Sequence, residues 1–185
     1  KIVAEGKKIL LVGTKPAARR AIQETGEETG MPYVAIRWIG GTLTNFKVIN
    51  ERLAMLEDLE QKKTRGEFEQ YKKKEKIKLE ENLRNLQKTF AGVRNLKKLP
   101  DALFVVDAIH DNLAVREAVR LNIPVVALAD TNTNPALITY PIPSNDDALP
   151  AVRFMMNKLK HAIFDGKKEI KSAEAAPTMA SGEAS

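Results

Sequence analysis

Three short apolar runs constrain this chain most. They are Ile9–Val12 (ILLV), the run inside DALFVVDA (101–108) and the run inside IPVVALADTN (123–132). A strand with one wet face alternates apolar and polar residues. A strand that reads as almost unbroken Val, Leu and Ile is buried on both faces, and that arrangement belongs to parallel sheets covered by helices.

The segments between the runs carry helix signals. After Val12, Gly13-Thr14 makes a turn and Pro16 suits a first helical turn. Ala17, Ala18, Ala21 and Ile22 give a small-residue face, and Gly30 closes the helix. PYVAI (32–36) reads as a second strand. DNLAVREAVRLN (111–122) is amphipathic, with Leu113, Val115, Ala118, Val119 and Leu121 mostly on one side and Asp111 placed as N-cap. LITYPIP (137–143) is a further strand. A last helix follows, capped by Ser144 or Asn145. Strands and helices that alternate in this way predict an α/β fold: a doubly wound, Rossmann- or flavodoxin-like parallel sheet.

The middle of the chain has a different period. Phe46, Ile49, Leu53 and Leu56 follow a 3-4-3 spacing; Leu79, Leu83, Leu86, Phe90 and Val93 follow 4-3-4-3. Both are heptad spacings, and Gly66 stands between them as a breaker. The expectation is a long antiparallel helical hairpin, a coiled coil inserted into the sheet domain, with a first helix reaching roughly 30 Å at 1.5 Å per residue. The domain division expected is 1–43 with 100–166 as a discontinuous α/β body, 44–99 as the inserted hairpin, and 167–185 as a disordered Ala/Ser/Gly/Glu-rich tail. Lys1 is not an initiating methionine, so the chain is expected to begin inside a longer protein.

Charge is unevenly placed. The net formal charge is +6. Residues 44–99 hold 15 Lys/Arg against 9 Asp/Glu, and the remainder holds 15 of each. A localised basic surface is the footprint of a polyanion partner, or else a solvated helix face. Cysteine is absent, which excludes disulfides, thiolate metal sites and cysteine nucleophiles. No apolar run approaches membrane-spanning length, so no membrane partner is expected.

In an open parallel sheet, ligands bind beyond the carboxyl ends of the strands. VGTKPAA (12–18) lacks both the three-glycine dinucleotide fingerprint and the Walker phosphate loop, although Lys15 at a helix N-terminus suits a phosphate oxygen. VVDAIHDN (105–112) brings Asp107, His110 and Asp111 together without a serine or cysteine partner. Asp107 then reads as a loop anchor and Asp111 as a cap. ADTNTNP and SNDDA offer Asp130, Asn132, Asn134, Asp146 and Asp147. Asp130 and Asp146 are the candidates for a hard cation, against the common use of Asx residues in turns. No cofactor is expected and no complete active site is visible.

The blocks RWIGGTLTNF (37–46), LPDALFVVDAIHDNLAVREAVRLNIPVVALADTNTNP (99–135) and YPIPSNDDA (140–148), in that order around a basic helical segment, resemble the bacterial-type small-subunit ribosomal protein S-two family from Ile2 to about Gly166. The resemblance implies a non-catalytic, structural protein of the cytoplasmic ribosome that binds small-subunit ribosomal RNA. It also implies contacts with neighbouring ribosomal proteins, among them help in docking the large ribosomal protein S-one where that protein is present. It implies residues before Lys1 that include a histidine-containing stretch, and it implies no homo-oligomer.

Folded RNA is read mainly through shape, phosphate and 2′-hydroxyl contacts, and the 5% aromatic content supplies few stacking platforms. The expected RNA-binding residues are Lys15, Arg37, Trp38, Gly40, Gly41, Thr44, Asn45 and Lys47 at the body, with Lys72, Lys73, Lys74, Lys76 and Lys78 on the insert. Gly40-Gly41 is expected to turn the backbone sharply, Thr44 or Asn45 to cap the next helix, and Trp38 to be half core anchor. Two other classes remain open on these residues: a phosphate- or nucleotide-binding α/β enzyme, and a protein-only adaptor that uses a coiled-coil arm.

Overall fold

The computed structural model describes residues 1–175. Its strands are β1 (Ile9–Val12), β2 (Tyr33–Val34), β3 (Ala102–Val105), β4 (Val125–Ala129) and β5 (Tyr140–Pro143). They form one sheet in the order β2-β1-β3-β4-β5, and every pair is parallel. The helices are α1 (Pro16–Thr29), α2 (Phe46–Thr64), α3 (Lys73–Phe90), α4 (Asn112–Arg120) and α5 (Leu149–Ala175).

Period-two alternation along the strands assigns the two faces. Leu10, Val12, Leu103, Val105, Val125 and Ala127 share one apolar cluster with α2, α3 and α4. Leu11, Phe104, Val106 and Leu128 share the other with α1 and α5. The sheet is therefore doubly wound, as the unbroken apolar runs predict. Pro16 opens α1, and Gly30 closes it in the left-handed conformation.

β2, α5 and the helix caps differ from the sequence reading, and β5 pairs only from Tyr140. β2 pairs over two residues instead of five, because the chain leaves the sheet at Ala35 and turns toward α4. α5 continues to Ala175, through the first nine residues of the segment expected as a tail. It is anchored there by packing: Gly166 lies against Val3, and Lys167 Nζ donates to the Thr29 carbonyl at the end of α1. The rest of that expected tail, 176–185, lies outside the described residues. The caps differ too: neither Asn45 nor Asp111 makes a side-chain cap bond, and the Asp111 carboxylate instead accepts from Thr14.

α2 buries Ile49, Leu53, Leu56 and Leu59, and α3 buries Leu83, Leu86 and Phe90. These side chains belong to the same cluster as the sheet's Leu10 and Leu103, so the helices share the body's core. Glu60 accepts from Gln87 at 2.7 Å and from Arg94 at 2.6 Å. A straight side-by-side pair closed at 65–72 would set position 60 opposite about position 77, roughly 15 Å before Gln87 at 1.5 Å per residue. The pair is therefore offset in register: Glu60, near the end of α2, meets the last turn of α3 and the turn beyond it.

The turn after α3 seats this pair on β2. A Cβ placed on Gly92 would stand 2.2 Å from the Tyr33 backbone oxygen and 2.6 Å from its ring. Backbone cannot yield as a flexible side-chain tip can. Gly92→Ala is expected to lower stability by roughly 2 kcal/mol through overpacking, measured as a shift of the urea midpoint at unchanged m-value.

Candidate nucleic-acid interface

Beyond the carboxyl end of β2, residues 35–45 form a loop held by one carboxylate. Glu117 projects from the buried face of α4, beside Ala114 and Ala118, and is 6% exposed. Its Oε1 accepts from Trp38 Nε1 at 3.1 Å and from Gly41 N at 2.8 Å. Its Oε2 accepts from Leu43 N at 2.9 Å, and from Thr44 N and Thr44 Oγ1 at 3.1 Å each. Gly41 sits at φ 90°, where a side chain would be strained, and this conformation aims its N–H at the carboxylate. Burial alone pushes the Glu117 carboxyl upward. The donors from Trp38, Thr44, Gly41 and Leu43 together outweigh it and hold the group below the ordinary carboxylate range.

This anchor decides the placement of the loop's expected RNA-binding residues. Trp38 is buried and its N–H is engaged, so it is a core anchor and presents no face to a partner. Thr44 is exposed as a residue, but its backbone N–H and hydroxyl both turn inward to Glu117 and do not cap α2. Arg37, Gly40, Asn45 and Lys47 are exposed together on this stretch. Sequence reasoning gave Glu117 no role. The signal was present, though: a carboxylate three residues after Ala114 and one before Ala118 falls on the buried face of an amphipathic helix.

The sheet's topological switch point, between β1 and β3, is filled by the chain's own ions. Lys15 Nζ reaches Asp107 Oδ2 at 2.9 Å and Asp146 Oδ1 at 3.4 Å, and also contacts Asp147. Thr14 donates its N–H at 3.0 Å and its hydroxyl at 2.6 Å to Asp111. Asp107 also takes the N–H groups of Ile109 and His110, the loop anchoring expected of it. Burial raises the Asp107 carboxyl, but the His110 N–H and the Lys15 ammonium bring it below its usual value. Asp146 stays above its usual value because burial and the neighbouring Asp107 charge outweigh Lys15. Burial works against the Lys15 ammonium, and the surrounding carboxylates more than compensate, raising it.

Lys15 is thus not an available phosphate ligand. Three carboxylates already neutralise it, which a one-dimensional reading of VGTKPAA could not reveal. The same geometry decides the cation candidates. Asp146 faces an ammonium, Asp130 accepts from Thr131 N, and among the described residues no group of three or more His, Asp or Glu side chains is placed to hold a metal. His110 and His161 are both exposed. His110 serves the loop through its backbone N–H, which it donates to Asp107, and no nucleophile–base pair forms around it among the described residues.

On the insert, Lys72, Lys73, Lys74 and Lys78 are exposed. Lys76 is partly buried and paired with Glu69 at 2.6 Å. No helix among the described residues is long and apolar enough to cross a membrane.

A doubly wound parallel sheet whose switch point holds the chain's own ion network, and whose β2 loop is fixed on a buried glutamate, defines an α/β scaffold protein. Comparison with known proteins gives the family. The family model described as Ribosomal protein S2 matches residues 1–166. A small ribosomal subunit protein uS2 from Chloroflexus aurantiacus is 45% identical over 167 residues, covering 90% of this chain and 70% of the relative. The uS2 protein from Chloroflexus aggregans is 44% identical over 173 residues, covering 94% of this chain and 73% of the relative. The chain belongs to the ribosomal protein S2 family, whose members are structural and not enzymes.

Both networks can be tested by substitution. Glu117→Gln places an amide N–H₂ among N–H donors, so it should cost about 2 kcal/mol by urea unfolding at pH 7. Because the folded Glu117 carboxyl lies below its unfolded value of about 4.3, its stabilisation is present above that pH and lost as pH falls through the folded value. The gap between wild type and Glu117→Gln should therefore narrow below about pH 4, as read by urea midpoints across an acid titration. Lys15→Met should strand Asp107 and Asp146 and lower stability by roughly 2 kcal/mol, with no change in affinity for RNA.

Proposed function

We propose that this chain is a structural constituent of the small ribosomal subunit, in the cytoplasmic ribosome, that binds small-subunit ribosomal RNA and helps to seat neighbouring ribosomal proteins, among them the large protein S-one where it is present. The single observation that carries the RNA-binding reading is the exposed cationic set Arg37, Lys47, Lys72, Lys73, Lys74 and Lys78, none of which is ion-paired to a carboxylate among the described residues. Lys15 is ion-paired to three carboxylates and links the strand ends instead.

The mechanism is electrostatic and geometric. Each Lys or Arg that meets a phosphate releases counterions, so affinity falls as salt rises. The Glu117 anchor keeps the 37–47 stretch in one conformation, so Arg37, Asn45 and Lys47 meet the RNA without first being ordered. We read residues 44–99 as a helical insert in the body formed by 1–43 and 100–166. Its two heptad stripes are what supports the coiled-coil form of the insert, and its excess of six positive charges is what supports an RNA-facing role. The chain acts as a single copy in the subunit.

Binding to small-subunit RNA should show a steep dependence of log affinity on log salt. Arg37→Ala should weaken binding and leave thermal stability unchanged. The triple change Lys72→Ala, Lys73→Ala, Lys74→Ala should flatten the salt slope by about 0.7 to 0.9 for each phosphate no longer neutralised. A slope near zero for the wild-type chain would overturn the RNA reading in favour of a protein-only adaptor. Gradient sedimentation of extract should place the protein in the small-subunit fraction.

A further inference from the structure

A cavity of about 310 Å³ opens between the anchored loop, α2 and α3. Its floor is Ile49, Leu86 and Phe90, all buried. Asn45, Arg52, Asn85 and Thr89 are its polar lining residues. The volume lies at the lower end of the range for small-ligand sites. No acid lines it.

The rim chemistry is selective. Asn45, Arg52 and Asn85 are exposed, and none of the three side chains has a hydrogen-bond or ion-pair partner among the described residues. A carboxamide offers one acceptor and two donors, the pattern that pairs with a nucleobase edge. A guanidinium matches a phosphate. An apolar floor that includes an aromatic ring suits the face of a base.

We propose that this cavity receives one unpaired nucleobase of the bound RNA, held at its edge by Asn45 and Asn85, with Arg52 on the adjoining phosphate. The proposal rests on the RNA-binding reading above and adds a readout of one single-stranded position to a surface that otherwise recognises phosphate. RNA loops and bulges present such bases splayed from the stack. An anchored wall favours this use, because Glu117 fixes Gly41 and so keeps the cavity's loop side in place before RNA arrives.

The test uses the full chain, small-subunit ribosomal RNA and two variants. Val48→Trp fills the cavity from a position that is already 39% exposed, and Asn85→Ala removes an unpartnered rim amide. Thermal melts establish that both fold. Each should bind roughly tenfold more weakly, the loss expected for one unpacked base, with the same salt slope as wild type because the phosphate contacts remain. Dimethyl sulfate probing should show a base whose Watson–Crick edge is protected by wild type and reactive with either variant. Wild-type RNA binding with unchanged variant affinity and no variant-sensitive base would overturn the cavity assignment alone. Unchanged RNA binding together with loss of a neighbouring ribosomal protein from the particle would also overturn it and make the cavity a protein anchor. A wild-type chain that does not bind the RNA at all would remove both readings.

Discussion

A single buried carboxylate sets the geometry on which the rest of this surface depends. Glu117 accepts five hydrogen bonds from four residues of one loop. A buried charge is costly unless it is fully hydrogen-bonded, and an unsatisfied buried N–H is costly in turn. Here each cost removes the other. The result couples α4 to residues 38–44, although more than seventy residues separate them in sequence. The loop's backbone donors, which in a flexible segment would face water, are fixed inward. Its outward groups, Arg37, Gly40, Asn45 and Lys47, are thereby fixed outward.

The same logic operates at the switch point, with a different result. Enzymes on doubly wound sheets leave that crevice open for a ligand. In this chain Lys15 reaches across from the start of α1 to carboxylates that follow β3 and β5. Thr14 and Asp111 add a second link between the β1 and β3 ends. Groups that resemble binding residues one at a time become a cross-link when assembled. Their chemistry joins the strand ends together.

Much of the architecture was legible because it rests on local rules. Unbroken apolar runs marked strands covered on both faces, and the structure assigns their odd and even residues to two cores. Pro16 and Gly30 marked α1 at both ends. What could not be read depends on contacts between distant residues. Thr44, Asn45 and Asp111 have the composition of caps, but Thr44 and Asp111 found partners in other elements, and those bonds displaced the local ones. β2 has the propensity for five strand residues and pairs only two, because the Glu117 anchor draws the chain out of the sheet. The heptad stripes correctly marked which faces of α2 and α3 are buried. A stripe does not encode the register of the pair, and Glu60 meeting Gln87 and Arg94 could not be foreseen from it.

Site residues divide along the same line, and the division bears on how such a surface works. Lys15 and Arg37 look alike in sequence: each is a cation just beyond a parallel strand. One is enclosed by three carboxylates and the other is exposed. A cation in the crevice contributes to the fold because low-dielectric surroundings strengthen its pairing. A cation on the rim pairs weakly with anything in water, and so remains available to a polyanion that brings many charges at once. The two kinds divide the work: internal pairs hold the strand ends without a ligand, and, on the RNA-binding reading proposed above, the outer cations stay without partners until RNA supplies them.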